Sequence, residues 1–284
     1  MARSMTMKQS QRLSNAIILI ILLIFGCILM TPFAWMISVG FDRTANVTMP
    51  FPPRLIPENV SSFNYGIIFE NGRIFKAYLN SGIVTISSVL ITVSSALLGG
   101  YAFSKGKFKG KKLLFLIVLA TLMIPIEPRL IPLYKLFNSI GLLNTFWPLI
   151  LPSLVNGFLL FLCKQFFDQL PDTLREAAQI DGAGEFKIFF KVYFPLAGPI
   201  AATMVILSFI WSWNDFLWPL VVLNNQALHT VPLYLASFSL ENGTNLGGLT
   251  MALATVSIVP IIIVYLFLQR YIIQSIALSG VKGE

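Results

Sequence analysis

The sequence predicts an all-α, polytopic membrane protein with six transmembrane helices, and three observations lead to this fold class. The mean hydropathy of the 284-residue chain is +0.78, and 56% of its residues are hydrophobic while only 11% are charged. Most of its stretches without Asp, Glu, Lys or Arg exceed the ~20 residues that a helix needs to cross a bilayer. Because a bilayer offers the backbone no hydrogen-bonding partner, such stretches are expected to be helices. The stretches are 13–41, 77–104, 113–126, 136–163, 192–214 and 242–269.

The predicted spans divide the chain into five regions. The six spans are 15–39, 78–104, 112–133, 144–166, 197–222 and 251–273. The regions are a cytoplasmic N-terminal segment (1–14), the first span (15–39), an extracytoplasmic loop (40–77), a five-helix core (78–273) and a cytoplasmic C-terminal tail (274–284). The core includes a polar loop, 167–196, between the fourth and fifth spans. The proline-rich loop 40–77 has little helical periodicity, and forms either an ordered cap or docking surface, or a plain connector.

The distribution of basic residues predicts the orientation in the membrane. Lysine and arginine stay on the cytoplasmic side of membrane proteins, and with the N-terminus inside, 14 of the 20 fall in inner segments. Both termini and the loop 167–196 are therefore expected in the cytoplasm. The net charge of +8 follows from this rule and does not indicate nucleic-acid binding. The apolar run Ala16–Met30 follows basic residues and precedes no small-residue cleavage site, which predicts an uncleaved signal-anchor.

Residues for catalysis or cofactor binding are sparse. His229 is the single histidine, which removes the main ingredient of His-based metal clusters and of most nucleophile–base pairs. Gly100–Phe108 is not a phosphate-binding P-loop, because its glycine spacing is too long and no hydroxyl residue follows its Gly-Lys pair. Cys27 and Cys163 fall in different spans and are expected to be packing thiols. No catalytic, cofactor-binding or metal-binding residue is therefore predicted on this chain.

Two spans carry features that bear on their packing. The second span contains small residues one turn apart, which allow a neighbouring helix to approach closely: Ser95, Ala96, Gly99 and Gly100. Three prolines in the third span predict a kink near the outer surface: Pro125, Pro128 and Pro132. Glu127 and Arg129 lie between these prolines. They pair with each other, line a substrate path or mark the membrane interface, and the sequence alone leaves these alternatives open.

The loop 167–196 is expected to form a helix–turn–helix unit. A first helix is predicted over 173–180, with a capping box in which the Thr173 hydroxyl accepts from the backbone amide of Glu176. Leu174, Ala177 and Ala178 share one face of this helix. Gly182 is expected to end the helix with a positive φ.

A second helix is predicted to start near Gly184–Glu185 and to end at Pro195. It would carry an apolar stripe of aromatic residues at helical spacing: Phe186, Phe189, Phe190 and Tyr193. On composition alone, the unit is an amphipathic hairpin that rests on lipid headgroups.

This unit resembles the EAA loop of binding-protein-dependent ABC importers. The residues that carry the resemblance are Glu176-Ala177-Ala178, Asp181-Gly182-Ala183, Phe189 and Phe194-Pro195. Further segments are similar to the carbohydrate-uptake branch of that family, in particular its smaller maltose-type permease: Met123-Ile124-Pro125, Ile131-Pro132-Leu133-Tyr134, Trp213-Asn214-Asp215-Phe216, Thr230-Val231-Pro232-Leu233, Gln269-Arg270-Tyr271 and Gly280-Val281-Lys282-Gly283. The likeness covers nearly everything after residue 78. Phe194 departs from it, since a leucine often stands before the proline.

The resemblance implies a permease subunit of a bacterial or archaeal cell membrane. Its EAA loop would be a coupling helix seated on a separate ATPase, with these residues: Glu176, Ala177, Ala178, Asp181, Gly182, Ala183, Phe189 and Pro195. The implied partners are a second homologous permease, two cytoplasmic ATPase subunits and an extracytoplasmic solute-binding protein. ATP and Mg²⁺ would bind to the ATPase subunits, and no cofactor to this chain. The implied solute is a sugar or oligosaccharide, with glycerol phosphate or another polar solute as alternatives.

Polar and aromatic residues near the spans are candidates for the translocation path. Sugar cavities combine aromatic faces with hydrogen-bonding groups, and six residues could supply them or could serve helix packing instead: Asn80, Ser81, Asn156, Trp213, Asn214 and Asp215. The rival hypothesis is a self-sufficient secondary transporter or channel, which needs acidic coupling-ion sites in broken helices. Only Asp215 and Glu127 are acidic residues placed where such a coupling-ion site could form. A membrane-embedded enzyme is the weakest alternative, because the residues for it are missing.

Overall fold

The computed structural model of the chain describes residues 7–70, 72–242 and 246–280, and these are almost entirely helical. The first seven α-helices are α1 (Met7–Gly40), α2 (Phe63–Glu70), α3 (Arg73–Lys105), α4 (Lys111–Thr121), α5 (Ile126–Ser139), α6 (Trp147–Ile150) and α7 (Gly157–Asp168). The other seven are α8 (Thr173–Ile180), α9 (Glu185–Ile188), α10 (Phe194–Leu196), α11 (Gly198–Trp213), α12 (Leu217–Val222), α13 (Val231–Asn242) and α14 (Gly247–Gly280). Short 3-10 turns and one π-helical turn, Phe189–Tyr193, connect some of them.

The all-helical, membrane-spanning class is confirmed. Within the described residues, extended pairing is limited to one isolated bridge between Asp42 and Val60. Four helical segments are long and apolar enough to cross a bilayer: Leu13–Gly40, Arg73–Lys105, Trp147–Asp168 and Gly247–Phe267. Two bent helix pairs raise the number to six if each pair is one span. The count of six spans and the cytoplasmic position of the loop 167–196 therefore stay predictions, and parts of the segments 1–14 and 274–284, with Lys282, lie outside the described residues.

The chain forms two compact units. The first comprises Met1–Asn71 and Ser237–Ser257, and the second comprises Gly72–Ala236 and Ile258–Glu284. In the first unit, the segment after α1 is ordered around Asn64. The buried Nδ2 of Asn64 donates to the carbonyl oxygens of Gly40, at 3.0 Å, and Asp42, at 3.1 Å. Asn46 donates to Asn64 Oδ1, at 2.6 Å. The loop 40–77 is thus an ordered structure with a helix, α2, that its periodicity did not predict.

The core of the second unit is built on α3. Its buried residues pack against α7, against α11 and against the π turn. The close approach expected at the small residues is present: a Cβ added to Gly100 would lie 2.8 Å from Cys163 Sγ and 3.0 Å from Lys164 N. At Gly99 it would lie 2.9 Å from Leu160 Cδ1. Both cysteines are free thiols. Cys163 is buried in this contact, as a packing thiol should be, whereas Cys27 is exposed and does not fit that prediction.

Three of the predicted spans are not continuous helices. In the third predicted span, α4 and α5 meet at an angle of 102° at the break 122–125. The kink expected from the prolines is therefore confirmed, and it is a break between two helices instead of a bend within one. In the fourth, a 3-10 turn (Leu151–Leu154) and the extended Asn156 separate α6 from α7. The fifth ends at Trp213 rather than 222, and α12 follows separately. Proline removes backbone donors near two of these breaks, at Pro125 and Pro152.

Candidate functional site

Residues 167–196, here called the coupling segment, form the expected helix–turn–helix. The first helix, α8, occupies Thr173–Ile180, as the pattern predicted. Gly182 has a φ of +74° and follows it in the left-handed region. The backbone amides of Gly182 and Ala183 donate to Gln179 O and Ala178 O, at 3.0 Å each, which closes the C-terminus of α8. The turn therefore depends on a backbone conformation that glycine adopts without steric cost.

The predicted capping box is wrong. Asp172 is the N-cap residue of α8, and no side chain caps the helix. Thr173 is already the first helical residue, and the amide of Glu176 donates to the carbonyl oxygen of Asp172, at 3.0 Å. Thr173 thus lies one position inside the cap, and the carboxylate of Asp172 accepts from Lys105 of α3 instead of capping the helix.

The surface of α8 is largely open. None of its residues is buried; Ile180 is 86% and Leu174 37% exposed. Ala178 packs against the core cluster of the second unit, while Ala177 on the same side of the helix is exposed. The alanine face is thus covered by the core at Ala178 and exposed at Ala177. Around it, the predicted coupling residues Glu176, Asp181, Gly182 and Pro195 are exposed, Ala183 is half-buried and Phe189 is buried.

The predicted aromatic stripe is divided between core and surface. Phe189 and Tyr193 are buried against α3 and α7, whereas Phe186, at 77%, and Phe190, at 54%, are exposed. The stripe is wider than the surface that these two helices offer, so the residues on its flank remain uncovered. The apolar stripe thus contributes Phe189 and Tyr193 to the core and leaves Phe186 and Phe190 on the surface.

Polar contacts hold the coupling segment together and join it to α3. Glu185 forms an ion pair with Arg175 and accepts from Gln179 Nε2, at 3.2 Å. Tyr101 Oη of α3 donates to Glu185 Oε2, at 2.8 Å. Lys105 Nζ of α3 donates to Asp172 Oδ1, at 2.6 Å, and this hydrogen bond holds the pKa of Asp172 below its usual range. The same ammonium donates to Leu170 O, at 2.7 Å.

A second feature is a cavity of about 250 Å³ within the second unit, with polar and apolar side chains in its wall. Two of the predicted path residues line it, Asn156 and Asp215. Asn156 Oδ1 caps α7 by accepting from Leu159 N, at 3.0 Å, and Asp215 Oδ1 accepts from Trp218 N, at 3.4 Å. The polar and tryptophan side chains that line it with them are Ser88, Thr92, Arg129, Ser153, Ser208, Trp211, Ser212 and Trp218.

The other four predicted path residues lie elsewhere. Asn80 Nδ2 donates to the carbonyl oxygens of Ala227 and His229, at 3.0 Å each. Ser81 Oγ accepts from the amide of Val231, at 2.8 Å. Both are buried braces between α3 and the segment before α13. Trp213 is buried, with its ring stacked on Phe209 and on Tyr78, and Asn214 Nδ2 donates to Ile210 O, at 2.9 Å. None of the four lines the cavity.

Sequence reasoning missed most of the cavity wall. The sequence does contain a pattern that indicates this wall. Hydroxyl residues recur at spacings of three and four residues in α3, at Ser81, Thr85, Ser88 and Thr92, and in α11, at Ser208 and Ser212. Hydroxyls at helical spacing on otherwise apolar helices mark one face. Arg129 also lines the cavity, and its Nε donates to Pro125 O, at 3.3 Å.

The chain matches a family of known proteins over most of its length. Residues 66–278 match the family described as binding-protein-dependent transport system inner membrane component. The chain is 39% identical over 237 residues to the arabinooligosaccharides transport system permease protein AraQ of Halalkalibacterium halodurans, covering 84% of each. It is 29% identical over 280 residues to the melibiose/raffinose/stachyose import permease protein MelC of Bacillus subtilis, covering 98% of this chain and all of the relative.

The fold is similar to that of a solved transporter chain. That chain comes from the crystal structure of a bacterial ABC transporter involved in the import of the acidic polysaccharide alginate. The TM-score is 0.79 at 26% sequence identity, and the likeness covers 94% of this chain and 99% of the other. The resemblance carried by the coupling segment is thereby confirmed. The chain belongs to the family of inner membrane components of binding-protein-dependent transport systems, and so is a permease subunit rather than an enzyme.

Proposed function

We propose that this chain is one transmembrane subunit of an ATP-driven importer that takes up a sugar or oligosaccharide delivered by an extracytoplasmic solute-binding protein. The relatives named above are permeases for oligosaccharides, which supports the solute class. The observation that carries the proposal is the coupling segment: an exposed, glycine-ended helix that is bonded to a long membrane helix by Tyr101 and Lys105. Such an arrangement suits a docking element better than a hairpin resting on lipid.

The coupling segment would dock on an ATPase subunit. Ala177 leaves a flat exposed surface on α8, and the exposed carboxylate of Glu176 can meet a cationic group of the partner. Two such ATPase subunits would bind ATP and Mg²⁺, one beneath this chain and one beneath a second, homologous permease. No cofactor would bind to this chain itself. Closure of the ATPase pair would move the coupling segment as a rigid body and rock the attached helices between inward-open and outward-open states.

The cavity of the second unit would form this chain's part of the translocation path. Its wall combines serine and threonine hydroxyls with Trp211 and Trp218, and a saccharide needs this combination of hydrogen-bonding groups and aromatic faces. Asn156 and Asp215 of the predicted path would act here. Asn80, Ser81, Trp213 and Asn214 would support the path through packing and hydrogen bonds with protein groups.

Substitution of Gly182 tests the docking role. Nothing lies within 4 Å of a Cβ added at Gly182, so a larger residue acts through the positive φ alone. A β-branched side chain is strained in that region, whereas asparagine tolerates it. In Gly182→Val we expect the chain to insert, the ATPase subunits to leave the membrane fraction and ATP-dependent uptake to be lost. Gly182→Asn should retain both.

Two results would contradict the proposal. Normal ATPase recruitment and uptake in Gly182→Val would show that the geometry of this turn is irrelevant to docking. ATP-independent uptake by the purified chain alone would favour the rival, a self-sufficient secondary transporter or channel. Labelled arabino-oligosaccharides and raffinose are suitable probes, because the named relatives carry such solutes.

A further inference from the structure

Hydrogen bonds from Tyr101 and Lys105 of α3 join this helix to the coupling segment. Along the chain, the coupling segment follows α7 and leads into α11. Its contact with α3 joins distant residues, since Lys105 and Asp172 are 67 positions apart. We propose that α3 carries the movement of the coupling segment to the cavity, and that Tyr101 and Lys105 are the positioning residues that make this connection. The inference rests on the proposed function, and adds which helix transmits the movement and through which groups.

The first part of the connection is the hydroxyl of Tyr101. The residue is 7% exposed, and its Oη lies 2.8 Å from Glu185 Oε2. Glu185 is also the ion-pair partner of Arg175 on α8 and the first residue of α9. One carboxylate thus ties both helices of the coupling segment to α3. Hydrogen bonds to an ionised group are about twice as strong as neutral ones, so this contact resists separation.

The second part is the ammonium group of Lys105. Its side chain is only 5% exposed and donates to the carbonyl oxygen of Leu170 and the carboxylate of Asp172. Leu170 and Asp172 stand immediately before α8. A buried cation that loses its partners carries a desolvation penalty, so the last turn of α3 and the start of the coupling segment are expected to move together.

Aromatic packing stiffens the same junction. The ring centroid of Tyr101 lies 5.1 Å from that of Tyr193, 5.3 Å from that of Phe189 and 6.1 Å from that of Phe167. These distances are typical of favourable ring pairs. Tyr193 and Phe167 are fully buried. Rotation of the coupling segment away from α3 would therefore break three ring contacts as well as the polar ones.

At its middle, α3 reaches the cavity. It is one uninterrupted helix from Arg73 to Lys105, and Ser88 and Thr92 on it line the cavity. Thr92 Oγ1 donates to Ser153 O of the cavity wall, at 2.8 Å. With a rise of about 1.5 Å per residue, Thr92 and Ser88 lie roughly 14–20 Å from Tyr101 along the axis. A displacement at one end of a continuous helix is passed to the other. α11 also lines the cavity, but the segment Glu185–Leu196 meets it at a bend of 78°.

The experiment compares uptake with ATP consumption in the complete importer. The assembled complex is reconstituted in vesicles with its binding protein, and import of labelled arabino-oligosaccharides or raffinose is measured with phosphate release. Tyr101→Phe removes only the hydrogen bond to Glu185. We expect the ATPase subunits to stay bound and ATP hydrolysis to continue, while solute imported per ATP falls by about threefold or more. Lys105→Met should also lower the amount of solute imported per ATP. Lys105→Arg, which keeps the positive charge, should restore part of that amount.

Controls separate a coupling role from a purely structural one. Tyr265→Phe alters an exposed tyrosine of α14 and should leave the ratio unchanged. The inference would be overturned if uptake and ATP hydrolysis fell in proportion in Tyr101→Phe while the wild-type complex still transports. It would also be overturned if the solute imported per ATP stayed normal in both Tyr101→Phe and Lys105→Met. A wild-type complex without ATP-dependent uptake would instead contradict the proposed function, and the inference with it.

Discussion

At the scale of the residue, Gly100 is the position where α3 and α7 approach closely. A Cβ there would meet the side chain of Cys163 and the backbone of Lys164, within 3.0 Å. Backbone cannot give way as a flexible side chain can. Gly82 on the same helix is the opposite case, since nothing lies within 4 Å of an added Cβ. The two glycines therefore serve as a matched pair in one span.

Alanine substitutions at these positions should have opposite effects on stability. Gly100→Ala forces α3 and α7 apart, and overpacking of this kind costs about 1–3 kcal/mol. Gly82→Ala replaces a poor helix former and is expected to be neutral or to stabilise the chain by up to about 1 kcal/mol. Thermal unfolding of the two variants in detergent is the measurement. Equal unfolding temperatures for both would contradict the close approach of the two helices.

At the scale of the element, α3 is fastened at both ends. Tyr101 and Lys105 hold its last turn to the coupling segment, and Asn80 and Ser81 hold its first part to residues 227–231. Asn80 satisfies two backbone carbonyl oxygens with one amide group. A buried acceptor that loses its donor bears a desolvation cost of about 1–3 kcal/mol. The role of Asn80 in this position is thus one of bracing.

Replacement of Asn80 distinguishes a brace from a contact to the solute. In Asn80→Ala we expect the unfolding temperature to fall, because the carbonyl groups of Ala227 and His229 lose their donor. The KM for the labelled oligosaccharide should stay unchanged in the fraction that remains folded. Ser139→Ala offers a control, since the hydroxyl of this exposed residue bonds only within its own helix. A raised KM with normal stability would place Asn80 in the path.

At the scale of the whole molecule, the orientation in the membrane rests on the distribution of charge. The basic residues predict that the coupling segment lies on the cytoplasmic side and the turn after α5 on the outer side. Ile180 and Ser139, one in each region, are both exposed. Single cysteines at these two positions therefore report the orientation directly.

Labelling from one side of the membrane should separate the two positions. In a Cys27→Ala background, Ser139→Cys is expected to react with an impermeant maleimide added to intact cells. Ile180→Cys should react only after the membrane is opened. Cys163 is buried and should stay silent in both. Labelling of Ile180→Cys in intact cells would reverse the predicted topology.

Local patterns identified much of the fold and of the coupling segment in advance. Charge-free stretches located the apolar helices, and the spacing around Gly182 located α8 and its end, because helix periodicity and left-handed turns depend on near neighbours. The cap of α8 was misjudged, since the amide of Glu176 donates to the carbonyl oxygen of Asp172 and not to the Thr173 hydroxyl. The division of the aromatic stripe between core and surface could not be predicted, because it depends on how much surface α3 and α7 offer.

By itself, the sequence determined that the chain is helical, enters a membrane and carries an exposed unit of the importer family, because these properties follow from local composition, periodicity and motif. Only the tertiary structure decided which polar residues meet. It brought Asn156 and Asp215 to one cavity, assigned Asn80 and Ser81 to bracing, and joined Tyr101 and Lys105 to the coupling segment. The physical reason is that such contacts join residues far apart in the chain, and only packing between helices determines which of them face each other.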